Sequence, residues 1–331
     1  MEENTMDLRS AKGVFSRIGL ALSAILAVGT VIQLLLAFFL RTILGPGNPV
    51  LREHWLLWLL NFVPLYAMAF PVGFLILGKA PAETYEKQKL GAGNGWVAFM
   101  ISVFVMYVGS ILGNTLSMVL SGGEAVNQVA EMAMDNHPLK VLFMVILAPL
   151  LEELLFRRAV IDRTRCYGEK TALLLSSLTF GLMHQNLFQF FYAFGVGMIL
   201  GYLYLRTGRL RYSVILHAII NFMGSVLAPF ILSLVDLQML ESIDPTLSPE
   251  ALLPIYLEIL PGMLVMLAYV FILLGLFIAG LVLFIIRVRK LQWKQSASPL
   301  PAGTVFRTAY LNFGMILFGM ICGALMVFNL L

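Results

Sequence analysis

Ala148-Pro149-Leu150-Leu151-Glu152-Glu153-Leu154-Leu155-Phe156-Arg157-Arg158 decides how the rest of the chain is read. From Val141 to Leu151 there is no charge, and then four charges arrive within seven residues. In lipid an ionisable side chain is costly, so it is paired and commonly functional. The stretch therefore predicts a helix inside a membrane whose carboxylates have a chemical role.

The surrounding composition agrees. The chain has 331 residues, of which 60% are hydrophobic and 12% charged, with a mean hydropathy of +0.90. This excludes an ordinary soluble domain and predicts an all-α, polytopic transmembrane bundle of about 8–9 spans. The candidate spans are 18–40, 55–78, 96–120, 139–160, 171–186, 187–205, 212–235, 262–286 and 308–330. The fifth and sixth are short and joined only by His184-Gln185-Asn186. The first reads as a span, with no small-residue cleavage pattern close behind a short apolar run. Cys166 and Cys322 lie in a basic loop and a late apolar run, which argues against a disulfide.

Charge gives the orientation. With the N-terminus inside, 19 of the 22 Lys and Arg residues fall on the inner side, and only Arg41, Arg52 and Lys140 fall outside. The outer loops are acidic, with Glu124, Glu131, Asp135, Asp236, Glu241 and Asp244. The bias predicts a multi-pass plasma-membrane protein with a cytoplasmic N-terminus. It also accounts for the net charge of +4 without a nucleic-acid partner.

Polar residues in the spans are few. His54 and His137 sit at span ends and read as interfacial. His184 and His217 each have a partner one turn away, Phe180 and Asn221. Glu153 and Arg157 are also four apart with the acid N-terminal, the favourable order for an ion pair. Glu152 is rotated by about 100° from Glu153, so the same arginine does not hold it in the same way. Singly, each has a bland reading: a packing histidine, a neutralised pair, an asparagine bonding two helices. Together, one unpaired glutamate, two histidines and an asparagine on three spans form a convergent polar cluster.

The three motifs Glu152-Glu153-Leu154-Leu155-Phe156-Arg157, Phe180-Gly181-Leu182-Met183-His184 and His217-Ala218-Ile219-Ile220-Asn221 resemble EExxxR, FxxxH and HxxxN. In this order they resemble the CPBP family of intramembrane endopeptidases, which includes the type 2 CAAX prenyl endopeptidases and bacterial Abi-type proteins. The resemblance covers about 96–235. It implies N-terminal transmembrane helices over 1–95, a catalytic core over 96–235 and C-terminal accessory helices over 236–331. It also implies hydrolysis of a peptide bond in a membrane-associated peptide or lipidated protein. Glu152 and His184 would activate water, and His217 and Asn221 would form the oxyanion hole. Phe180 would wall the site, and Glu153 with Arg157 would brace the helix. The resemblance favours a metal-free site; a zinc version would use Glu152, His184 and His217 as ligands.

Family resemblance leaves two other classes open. One is a scaffold or bacteriocin-immunity protein acting through a membrane protein partner. The other is a transporter relaying protons, although no internal repeat is evident. If the site hydrolyses peptides, a water-filled cavity opening to the cytoplasmic side is expected.

Overall fold

The computed structural model describes residues 2–78, 80, 82, 86–236, 239–240 and 248–330. Lys79, Glu241 and Asp244, which enter the charge count, lie outside these residues. The described residues contain helices and no strands.

The helices are α1 (Glu2–Leu44), α2 (His54–Leu77), α3 (Ala92–Ser121), the short α4 (Gln128–Met134), α5 (139–164), α6 (Glu169–Met183), α7 (Leu187–Thr207), α8 (Leu210–Ser233), α9 (Pro249–Val288), α10 (Val305–Ala309) and α11 (Phe313–Phe328). The nine stretches expected as spans are largely helical, but 308–330 is broken at 310–312 and 171–186 ends its helix at Met183. Six helices are long and apolar enough to cross a membrane: α1, α2, α3, α7, α8 and α9. The other three fall short for visible reasons. Helix α5 carries Glu152, Glu153, Arg157 and Arg158. Helices α6 and α11 have 15 and 16 residues, about 22–24 Å at 1.5 Å per residue against a hydrocarbon core of about 30 Å. The chain is an integral, multi-pass membrane protein.

Prolines shape the spans around the site. Helices α2, α5 and α8 contain π-helical turns at Pro64–Ala69, Val141–Leu147 and Met223–Leu227. Each turn ends two residues before a proline: Pro71, Pro149 and Pro229. Proline has no N–H to give and its ring crowds the preceding turn, and local π geometry absorbs both defects. A fourth π-helical turn, Leu154–Ile161, has no proline and follows directly on Glu153. The Phe156 carbonyl inside it accepts a 2.8 Å hydrogen bond from the Ser176 hydroxyl of α6.

Lipid tails are as apolar as leucine, so close packing and polar contacts hold such helices together. Small residues set the closest approaches. A methyl on Gly109 of α3 would lie 2.5 Å from the Tyr192 backbone of α7. Gly19 of α1 and Gly314 of α11 face each other backbone to backbone in the same way. Gly195, Gly197 and Gly201 of α7 lie against Val105, against Phe180 and Ser177, and against Leu173. One apolar core draws Phe15, Ile18 and Leu22 from α1, Phe70 from α2, Phe156 from α5, Phe180 from α6 and Phe318 from α11. The first and last helices therefore share the core that supports the charged stretch.

The two ends of the bundle differ. At the basic end a strap, 291–300, crosses the junction of α5 and α6. Ser298 N–H donates to the Cys166 carbonyl at 2.9 Å, and Leu300 N–H to that of Tyr167 at 3.2 Å. Glu169 accepts from Arg206, from Arg165 and from the Lys294 N–H. At the other end the acidic segment 122–138 is tied to α2 through Asp135. Its carboxylate accepts from Trp58 Nε1 at 2.6 Å, from His54 Nδ1 at 3.0 Å and from the His137 N–H at 2.9 Å. Desolvation pushes the Asp135 carboxyl up, but these bonds outweigh it and hold it below the usual carboxylate range.

Candidate active site

Glu152 and Glu153 are neighbours in α5 but belong to different surroundings. Glu153 is fully buried. Arg157, also fully buried, donates to it from Nε at 2.9 Å and from Nη2 at 3.3 Å. The remaining guanidinium nitrogen of Arg157 donates to Ser176 Oγ at 2.8 Å. The guanidinium also lies 5.0 Å from the centre of the Phe180 ring. Such a pair offsets its desolvation only when every donor and lone pair is used, and this one comes close.

His217 of α8 links the two glutamates. Its Nδ1 is 3.2 Å from Glu153 Oε1, and its Nε2 is 3.8 Å from Glu152 Oε2. A carboxylate only accepts, so Nδ1 carries the proton in the first contact. The second distance is too long for a hydrogen bond.

Glu152 faces a cavity of about 530 Å³. Tyr66 of α2 donates its hydroxyl to Glu152 Oε1 at 2.8 Å. His184 shares the cavity wall from the C-terminal end of α6. Its Nδ1 lies 2.8 Å from the Phe180 carbonyl. A carbonyl cannot donate, so Nδ1 holds the hydrogen and Nε2 is left with a lone pair in the neutral ring. Phe180 stands edge-to-face between the two imidazoles, with ring centres 5.0 Å from His184 and 5.6 Å from His217.

Asn221, one turn beyond His217, lines no part of the cavity. Its Nδ2 donates to the Met144 carbonyl of α5 at 2.8 Å. That bond has a sequence cause. In the π-helical turn the Ala148 N–H bonds the Phe143 carbonyl five residues back. The same register would offer Met144 the N–H of residue 149, which is proline. Asn221 supplies the missing donor and keeps its second amide hydrogen.

Of the expected residues, Glu152 and His184 meet at the cavity, and His217, Glu153, Arg157 and Phe180 pack behind them. Asn221 lies on the same side of α8 but is engaged with the α5 backbone. Tyr66 was missed because the motifs cover nothing before 96. Its signal was present: a hydroxyl in an apolar span between Pro64 and Pro71.

One expectation changes. The cavity does not open at the basic end. Its wall includes Val126, Gln128 and Met132 from the 122–134 segment, Gln33 from α1 and Phe328 from α11. These stand at the acidic end, and no residue of the strap lines the cavity. Counting helix depth from the sequence could not choose between ends, because Glu152 lies near the middle of α5. Among the described residues no three His, Cys, Asp or Glu side chains converge as metal ligands.

Comparison with known proteins places this constellation. Residues 135–223 match the profile of the family described as Type II CAAX prenyl endopeptidase Rce1-like. This stretch is similar to that family. It contains Glu152, Glu153, Arg157, Phe180, His184, His217 and Asn221. The chain is also 30% identical over 161 residues to YdiL of Bacillus subtilis (strain 168), a provisionally designated membrane peptidase. That alignment takes in 45% of this chain and 64% of the relative. No solved structure matches the chain.

Proposed function

We infer that the protein is an intramembrane endopeptidase that cleaves a membrane-associated peptide or lipidated protein. The observation that carries this is Glu152 and His184 facing one cavity from two helices, with the proton of His184 fixed on Nδ1 and its Nε2 left as a base. Tyr66 orients one oxygen of Glu152; the other is free to take a proton from water. The resulting hydroxide attacks the scissile carbonyl carbon, and negative charge moves to the carbonyl oxygen. His217, protonated on both ring nitrogens with Nδ1–H held by Glu153, would donate its Nε2–H to that oxygen; Asn221, one turn on, would brace α8 against α5 through the Met144 carbonyl. The C–N bond then breaks, the proton passes from Glu152 to the leaving nitrogen, and one water has become a new carboxylate, a new amine and a proton taken up by His184 Nε2. No step needs a metal.

The Lys and Arg distribution supports a plasma-membrane placement with the N-terminus cytoplasmic. Membrane lipid would surround the bundle and present a lipidated or membrane-bound substrate.

The test is purified full-length protein in lipid nanodiscs, incubated with a randomised peptide pool with and without EDTA. Cleavage by the wild type that survives EDTA and disappears in Glu152→Gln and His184→Ala supports the reading. Equal cleavage by all three proteins would sink it.

A further inference from the structure

A CAAX-type peptidase is expected to cut close to a free C-terminus, where the substrate carries a carboxylate. The cavity is poorly built for that charge. Among the described residues its wall contains no Lys and no Arg, and its one carboxylate is Glu152. The nearest cation in the motifs, Arg157, is fully buried and committed to Glu153 and Ser176. Arg41, in the last turn of α1, and Arg52, in the short turn before α2, lie at the same end and form no part of the wall. The rim segment 122–134 adds Glu124 and Glu131 and has no basic residue.

What the wall does offer is carboxamides. Gln33, Asn61, Gln128 and Gln189 line it from α1, α2, α4 and α7. Each carboxamide has both donors and acceptors, the complement of a peptide main chain. Gln33 and Asn61 are already joined side chain to side chain at 2.9 Å, which leaves the Gln33 oxygen without a donor in that pair.

We propose, resting on the peptidase reading of this site, that the cavity takes an internal, extended peptide segment and rejects a free α-carboxylate beside the scissile bond. A terminal carboxylate here would meet Glu152 and the acidic rim with no Lys or Arg in the wall to offset it, and like-charge juxtaposition of this kind discriminates strongly. Basic side chains flanking the cut are favoured by the same field.

The experiment uses the full-length protein in nanodiscs of zwitterionic lipid and one randomised dodecapeptide pool made twice. One version ends in a carboxylate and the other in a carboxamide. Cut positions are mapped by mass spectrometry. Within three residues of the C-terminus, the carboxamide pool should be cut about tenfold or more in excess of the carboxylate pool. Lys and Arg should be enriched over Asp and Glu around the cut. Gln128→Arg, which adds a cation to the wall at an exposed position, should shrink the discrimination. Equal or preferred cutting of the carboxylate pool by the wild type overturns the proposal and leaves the peptidase reading standing.

A binding arm separates the two readings. A benzophenone-bearing dodecapeptide is photo-crosslinked in both end forms. Selective crosslinking of the carboxamide form to 122–134, without cleavage in either pool, supports the proposed selectivity and removes the peptidase reading. Crosslinking of both forms alike, or of neither, overturns the proposal.

Discussion

The two faces of α5 put the same side chain to opposite uses. On the inner face Glu153 is fully buried and meets Arg157, Ser176 through that arginine, and His217. On the other face Glu152, one residue earlier, meets a tyrosine hydroxyl and an open cavity shared with His184. A carboxylate whose lone pairs are all occupied is part of the structure. One with a free oxygen and room beside it is available for chemistry.

The largest expected effect is on the cavity face. Glu152→Gln keeps the shape and an acceptor for Tyr66 but removes the base, and should lower turnover by about 10²–10⁴-fold. Its unfolding free energy should move by no more than about 0.5 kcal/mol, as for other substitutions that disturb no packing. Loss of folding with loss of turnover would erase the distinction between the two faces.

The buried face should respond in the opposite way. Glu153→Ala strands the Arg157 cation and should cost about 3–5 kcal/mol of stability. Glu153→Leu combined with Arg157→Met removes both charges and should recover most of that loss. A denaturation series on the two single variants and the double variant measures the coupling directly. Additive losses would mean that the pair is not the unit described here.

Tyr66→Phe tests the boundary between the faces. It removes a hydrogen bond to a charged acceptor, worth about 1.5–3 kcal/mol. If that bond orients Glu152 for reaction, the loss falls on kcat with KM little changed. A change in KM alone would assign Tyr66 to substrate binding.

How far this was legible varies with the distance between partners. Glu153 with Arg157 could be read directly, because four residues is one helical turn. So could the separation of Glu152 from that pair, because adjacent residues point about 100° apart. The convergence of α5, α6 and α8 came from motif order, and the structure brings Glu152, His184 and His217 together. Tyr66 could not be paired with Glu152, since 86 residues separate them and no local pattern links them. The donor role of Asn221 toward α5 becomes readable only once Pro149 is known to sit behind a π-helical turn. The side on which the cavity opens depended on the segment 122–134 folding over the ends of α1, α2 and α11, contacts between stretches far apart in the chain.

Gln185 carries the smallest predicted effect and tests how the catalytic face is held. Among the described residues it is the one non-glycine with positive φ, at 60°, and it directly follows His184. Its carbonyl accepts from Asn329 Nδ2 of the C-terminal end at 2.9 Å. A left-handed residue other than glycine costs roughly 1–2 kcal/mol, and that cost persists only where surroundings over-determine the backbone. Gln185→Gly removes it but admits more unfolded conformations, worth about 0.4–1 kcal/mol in the other direction. The net stability change should therefore stay within about 1 kcal/mol. Turnover should nevertheless fall, because the freed turn no longer fixes where His184 presents Nε2. Asn329→Leu should lower kcat by acting on the same turn from outside the Rce1-like stretch, and combining it with Gln185→Gly should add little. If both variants turn over like the wild type, α6 alone positions His184 and the C-terminal helix only packs against it.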